Sequence, residues 1–234
     1  VGLVEFNHDA SVLLGLSSSF SEFESAISGA SAAGGLTSVS DGLAAGLSVL
    51  EGAASRSGVP RVLLLLTDGV QTADGDDRTA IAQASVVKGA GVQVFAVGFG
   101  GARASTLSGI ASSSSHSYMG ADMEAIREHF AASSLCEAAS SPRLPPSPPS
   151  APHSPSPPPP PPSPPTAPPL PPPCSVPLDL VLVLDKSGSV RYAQQQMFAF
   201  ARDLVGQFSL GSASLAQVGL VEFNHDASVL LGLS

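Results

Sequence analysis

The chain has 234 residues, 43% of them hydrophobic and 12% charged, with a formal net charge of -9 and no tryptophan. That length suits one sizeable domain with additions, or two small ones, and the apolar fraction is enough for a buried core. An acidic balance argues against nucleic acid, whose phosphates call for Lys and Arg, and suits cations. Two cysteines, Cys136 and Cys174, are too few for a disulfide scaffold or a cysteine-built zinc site, and leave a single disulfide open. No run of eighteen apolar residues is present, so no membrane-spanning helix is expected, and no signal peptide is legible after Val1.

The organisation follows from a repeat and a proline-rich stretch. Residues 1–17 and 218–234 both read VGLVEFNHDASVLLGLS, an identity over 17 positions at an offset of 217. Chance does not produce such a match, so the sequence runs from inside one repeat unit to the same point of the next. Of the 22 prolines, 20 lie between Pro142 and Pro173. A run that lacks backbone donors builds neither helix nor sheet; it adopts polyproline II at roughly 3.1 Å per residue and acts as a semi-rigid spacer. The expected division is therefore a domain over 1–138 that lacks its first strand and helix, a Pro/Ser-rich linker over 139–175, and the start of the next repeat over 176–234. A complete unit would read from Val176 to Ser234 and continue as residues 18–138. Within one chain, the tail is expected to complete the head as a circular permutant, because an unpaired buried strand is costly. One copy of the duplicated strand pair would then be redundant.

In chain order, the duplicated segment carries two strands, read in the second copy as Ala216–Phe223 and Ala227–Leu233, close enough to pair as a hairpin. Phe20–Ile27 reads as a short helix, and Asp41–Ala54 as a helix with Leu43, Leu47 and Leu50 on one face. Arg61–Leu66 is a buried strand ending in Thr67-Asp68-Gly69. Arg78–Gly89 reads as helix, Val92–Val97 as strand, Thr106–Ala111 as a short helix, His116–Met119 as an edge strand and Met123–Ala132 as the last helix before the linker. Beyond the linker, Leu178–Leu184 is a continuous apolar run ending in Asp185, the mark of a strand covered on both faces. Tyr192–Phe208 places Met197, Phe200, Ala201, Leu204, Val205 and Phe208 at helical spacing. Strands alternating with helices predict an α/β fold: a doubly wound, mostly parallel sheet with helices on both faces. Ligands of such sheets bind beyond the carboxyl ends of the strands.

Two of the buried strands end in aspartate, Asp185 and Asp68. The first continues as Asp185-Lys186-Ser187-Gly188-Ser189. Alternating hydroxyls after a carboxylate turn several oxygens to one side of a loop, and hard divalent cations take oxygen ligands. In Asp185-Lys186-Ser187-Gly188-Ser189, Gly34-Gly35-Leu36-Thr37 and Thr67-Asp68-Gly69, the sequence resembles the von Willebrand factor type A (vWA) family: a DxSxS signature, a Gly-rich loop bearing a threonine, and a third loop with an aspartate. The likeness covers nearly everything outside the linker. It implies a metal-ion-dependent adhesion site in which Ser187, Ser189 and Thr37 give hydroxyl oxygens to Mg²⁺ (or Mn²⁺). Asp185 and Asp68 would bind directly or through water, and one position would remain for an acidic group of a partner. Where the family often has a small Gly after the threonine, this chain reads Ser38-Val39-Ser40-Asp41; Ser40 and Asp41 would cap the helix that starts there. In a longer array of such units, Asp185, Ser187 and Ser189 would belong to one repeat and Thr37 and Asp68 to the previous one.

The resemblance bears on the cysteines too. The two ends of a vWA domain lie close together and some extracellular members join them, so Cys136 and Cys174 would form a disulfide; the alternative is two free thiols. Asp74, Asp76 and Asp77 form either a solvated acidic turn or a second cation site. The five histidines, His8, His116, His129, His153 and His225, show no ligand spacing. Gly98-Phe99-Gly100-Gly101 lacks the full dinucleotide fingerprint, and no P-loop, G-x-S-x-G or N-x-S/T sequence is present. The linker resembles the hydroxyproline-rich, O-glycosylated segments of wall glycoproteins, or is an unmodified spacer or a ligand for proline-binding domains. Taken together, these features predict an extracellular, cell-wall or matrix adhesion module, not an enzyme, that binds protein or glycan partners through a metal, with linkers giving multivalent reach. Two alternatives stand beside it: a structural wall or matrix glycoprotein in which the units act as spacers, and an intracellular vWA assembly subunit.

Overall fold

A computed structural model describes residues 2–6, 10–30, 34–73, 75–130, 134–137, 177–208, 210 and 216–221. The expected linker, Cys174 and the expected strand Ala227–Leu233 lie outside the described residues. Among the described residues seven strands form one sheet: β1 (Gly2–Phe6), β2 (Ala10–Ser17), β3 (Arg61–Thr67), β4 (Gln93–Gly98), β5 (Ser117–Met119), β6 (Leu178–Asp185) and β7 (Ala216–Val221). Their order is β1-β2-β7-β6-β3-β4-β5, with β1 also paired to β7 and β6. The centre β6-β3-β4-β5 is parallel, with Leu182 opposite Leu64 and Leu64 opposite Phe95. Only β2 runs antiparallel, against β1 and β7.

All eight residues of β6, LDLVLVLD, are buried, which a strand enclosed on both faces requires. Alternate side chains feed two cores. Leu178, Leu180, Leu182 and Leu184 pack with Leu64, Leu66, Phe95 and Val97 under α1 (Phe20–Gly29), α5 (Met123–His129) and α6 (Gln194–Gly206). Val181 and Val183 pack with Leu63, Leu65, Val94 and Ala96 under α2 (Val39–Glu51), α3 (Asp77–Gly89) and α4 (Ala104–Ile110). The sheet is thus doubly covered and the fold is α/β. Gly46 lets α2 come close: a Cβ there would lie 2.7 Å from Leu63 Cδ1 and 3.0 Å from Val183 Cγ2.

Local chemistry sets the helix ends. Ser19 accepts from the Glu22 amide, Asp76 from the Arg78 amide and Asp122 from the Ala125 amide, each serving an otherwise unpaired donor. α2 departs from the sequence reading. It starts at Val39 with Ser38 as its N-cap, so Ser40 and Asp41 sit in the first turn rather than before it, and Gly52 ends it three residues after Val49. The helix expected from Tyr192 begins instead as a 3-10 turn over Ser189–Tyr192, and α6 proper starts at Gln194, leaving Tyr192 almost fully exposed.

At the amino end of β6, Asp179 is fully buried. Arg56 Nε donates to its Oδ1 at 2.8 Å and Arg56 Nη2 lies 2.7 Å from the same oxygen, while the Arg56 amide donates to Oδ2 at 2.9 Å. A second Nη2 bond reaches the Leu178 carbonyl at 2.9 Å. This bidentate pair ties β6 to the loop before β3, residues 123 positions apart.

Candidate functional site

Beyond the carboxyl ends of β6 and β3, the chain leaves the sheet through loops 185–189 and 67–69, and loop 34–38 lies beside them. Two backbone bonds hold the first loop to the third: Gly34 N–H donates to the Lys186 carbonyl at 2.8 Å, and Gly188 N–H to the Gly35 carbonyl at 3.0 Å. The third loop is also fastened to the segment after β3. The amides of Thr72 and Ala73 donate to the Thr37 carbonyl at 2.9 and 3.1 Å, and the Thr37 amide donates to Thr72 Oγ1 at 2.9 Å.

These loops bring all five sequence-predicted residues to one place. Asp185 and Ser187 are buried at its floor, Thr37 is 5% exposed, Asp68 is half-buried, and Ser189 faces solvent. A chain of hydrogen bonds crosses it: the Ser187 and Ser189 hydroxyls lie 2.9 Å apart, and Ser189 Oγ donates to Asp68 Oδ1 at 2.7 Å. Thr37 lies alongside: a Cβ on Gly69 would lie 3.4 Å from Thr37 Oγ1 and 3.6 Å from Ser189 Oγ. The small hollow at Gly69 is therefore walled by two hydroxyls.

Neutral donors serve Asp185. Thr67 Oγ1 donates to its Oδ2 at 2.6 Å, and the Ser187 amide to its Oδ1 at 2.8 Å. Burial pushes the Asp185 pKa up to about 6, the hydrogen bonds from Thr67 and Ser187 oppose the rise, and the nearby Asp68 charge adds to it. Burial also raises the Asp68 carboxyl, against the Ser189 hydrogen bond. Two carboxylates with depressed acidity and three hydroxyls make an all-oxygen donor set. Such a set fits a hard divalent cation, whose charge would relieve both carboxylates. Among the described residues no group of three His, Cys, Asp or Glu side chains is placed to hold a metal ion, so a cation here would depend on hydroxyls as much as on carboxylates.

Several supporting residues were not singled out from sequence. Thr67 holds Asp185. Gln71, 5% exposed, donates from Nε2 to Ser40 Oγ at 2.9 Å and to the Ala73 carbonyl at 2.6 Å, and its Oε1 accepts from the Ser40 amide at 3.1 Å. It fixes α2 against the β3 loop. Of the acidic cluster, Asp76 caps α3. Asp77 accepts from the Gln71 amide, Arg103 and Thr106 Oγ1, so it is an anchor; Asp74 lies outside the described residues. His116 stacks on Phe95 with ring centroids 4.1 Å apart, remote in role from the oxygen cluster. Cys136 is half-buried against the core under α5 and is disulfide-bonded; Cys174 is outside the described residues.

The profile described as von Willebrand factor type A domain matches residues 1–132 and 179–234. No curated protein matches the chain.

Proposed function

Because the chain belongs to the von Willebrand factor type A family, whose domains mediate protein interactions and often do so through a metal, we propose that it is an extracellular adhesion or ligand-binding module. In this reading Asp185, Ser187, Ser189, Thr37 and Asp68 hold Mg²⁺ or Mn²⁺, and the module is not an enzyme. The observation that carries the reading is the convergence of three hydroxyls and two aspartates from three separate loops on one hollow at strand ends. When bound, the metal would supply a Lewis-acidic position for an acidic group on a protein or glycan. Asp185 and Ser187 form a buried floor whose shape Thr67 fixes, and Thr72 and Ala73 keep Thr37 in place. Ser189 and the exposed side of Asp68 form the rim that a partner meets.

The Pro/Ser-rich stretch and the flanking cysteines support a location outside the cell, in a wall or matrix. Among the described residues no helix is long and apolar enough to cross a membrane. The duplicated segment and the linker also support a second reading, a structural glycoprotein in which vWA units act as spacers.

Calorimetric titration of Mg²⁺ and Mn²⁺ into the chain, beside an Asp185→Ala control, separates the two. Saturable binding that disappears in the control is the expected result. Heat that is the same in both proteins, or absent from both, would sink the metal-dependent reading and favour the spacer.

A further inference from the structure

The two copies of the duplicated segment compete for one place in the sheet. Residue for residue, position n of the first copy corresponds to n + 217 of the second. On β6, Val181 is in register with Gly2 of β1 and with Gly219 of β7, the same position of the repeat. Across the slot, Val12 of β2 faces both Val4 and Val221, and Leu14 faces both Leu3 and Leu220, again matching positions. β7 takes the edge of β6 from Leu178 to Val181, and β1 takes it from Val181 to Asp185. Thus one slot, with one register on both sides, is divided between two claimants.

Over the positions they share, no residue distinguishes them. Ladder hydrogen bonds are made by backbone, and register is selected by side chains that are identical in the two copies. A slot that one sequence can fill in either of two copies is equally open to the same sequence on another chain. Exchanging an identical element between molecules sacrifices no native contact.

We propose that the slot between β6 and β2 also accepts the 218–234 segment of a second copy of this chain, so that the protein associates with itself by strand exchange. The partner is fixed by the observation itself: only a segment carrying this sequence reproduces Gly219 opposite Val181 and Val221 opposite Val12.

The test uses two full-length, oxidised variants, Val12→Cys and Val221→Cys, mixed in equal amounts and treated with a short bifunctional thiol reagent. Strand exchange yields a covalent heterodimer whose share rises over about a hundred-fold range of concentration. It is lost when Leu220→Pro, which removes a ladder donor, is added to the Val221→Cys chain. The double variant Val12→Cys/Val221→Cys reports seating within one chain. Cross-linking confined to that double variant, no cross-linking in any sample, or a heterodimer that survives Leu220→Pro would each overturn the proposal. Sedimentation velocity on the unmodified chain gives an independent arm: mass that rises with concentration is expected, and a constant monomer mass contradicts it.

Discussion

The two ends of β6 carry the same residue in opposite circumstances. Asp179 and Asp185 are both fully buried, six positions apart on one strand. Asp179 is met by the Arg56 guanidinium and amide, so its charge is balanced from within the chain. Asp185 is met by a hydroxyl and an amide, which are neutral, and by a second carboxylate that opposes its ionisation. A buried charge balanced internally is a structural fastening, whereas one left for an outside cation is a binding site. In the proposed reading, the same strand uses one aspartate for stability and the other for a cation.

Breaking the balanced end should have the largest effect. Asp179→Ala leaves Arg56 without its carboxylate and is expected to cost about 3 kcal/mol or more in urea unfolding, as loss of one partner of a buried pair does. Substitution at the other end should do the reverse in the absence of metal. Asp185→Asn keeps an acceptor for Thr67 and removes a charge that burial disfavours, so at neutral pH the metal-free variant should be more stable by roughly 1–3 kcal/mol, while divalent-cation binding falls by at least about a hundred-fold.

The pH dependence sharpens the contrast, and its sign follows from the shift. The Asp185 pKa is raised from 3.8 to about 6, so the native state takes up its proton first as pH falls. Metal-free stability should therefore rise as pH is lowered through 6, level off below 3.8, and be unaffected by this group in Asp185→Asn. Cation affinity should decline across the same interval, because proton and metal compete. His116 acts in the opposite sense. Burial lowers its pKa below 6.5, so protonation favours the unfolded chain and stability is lost as pH falls through that range. His116 Nδ1 is buried without a hydrogen-bond partner, and His116→Phe, which keeps the stack on Phe95, should stabilise by about 1 kcal/mol and remove that loss in thermal unfolding at graded pH. The smallest effect belongs to Arg127 and Asp203, an ion pair in which both side chains are exposed; Arg127→Ala should change stability by less than about 0.5 kcal/mol.

The strands were legible in the sequence because burial on both faces leaves an unbroken apolar run. Leu178–Leu184 and Arg61–Leu66 have that form, and their position in the sheet follows from it. The five candidate residues were legible through short local motifs, two of them at strand ends. What escaped was whatever depends on distant segments meeting. Asp179 sits inside an apolar run with nothing nearby to suggest that Arg56, 123 positions away, would reach it. Gln71 and Asp77 look like ordinary loop polars until α2 and α4 close around them. The start of α2 was displaced because Ser38, Ser40 and Asp41 are all good capping residues, and local propensity does not rank them. Likewise, the apolar spacing after Tyr192 suggested a longer helix, but the loop that positions Ser189 tightens into a 3-10 turn first.

The order of the strands has a consequence for folding. The strand at the middle of the sheet, β6, follows β3 in the chain by more than a hundred residues, yet it pairs with β3 along Arg61–Leu66. Closing a loop of that length costs chain entropy before the β3–β6 ladder can offset it, so refolding of this chain should be slow compared with a sheet built from neighbouring hairpins. Until that closure the leucines of β3 are a sticky surface without a lid, and an apolar dye should light up early in refolding and dim as the sheet closes.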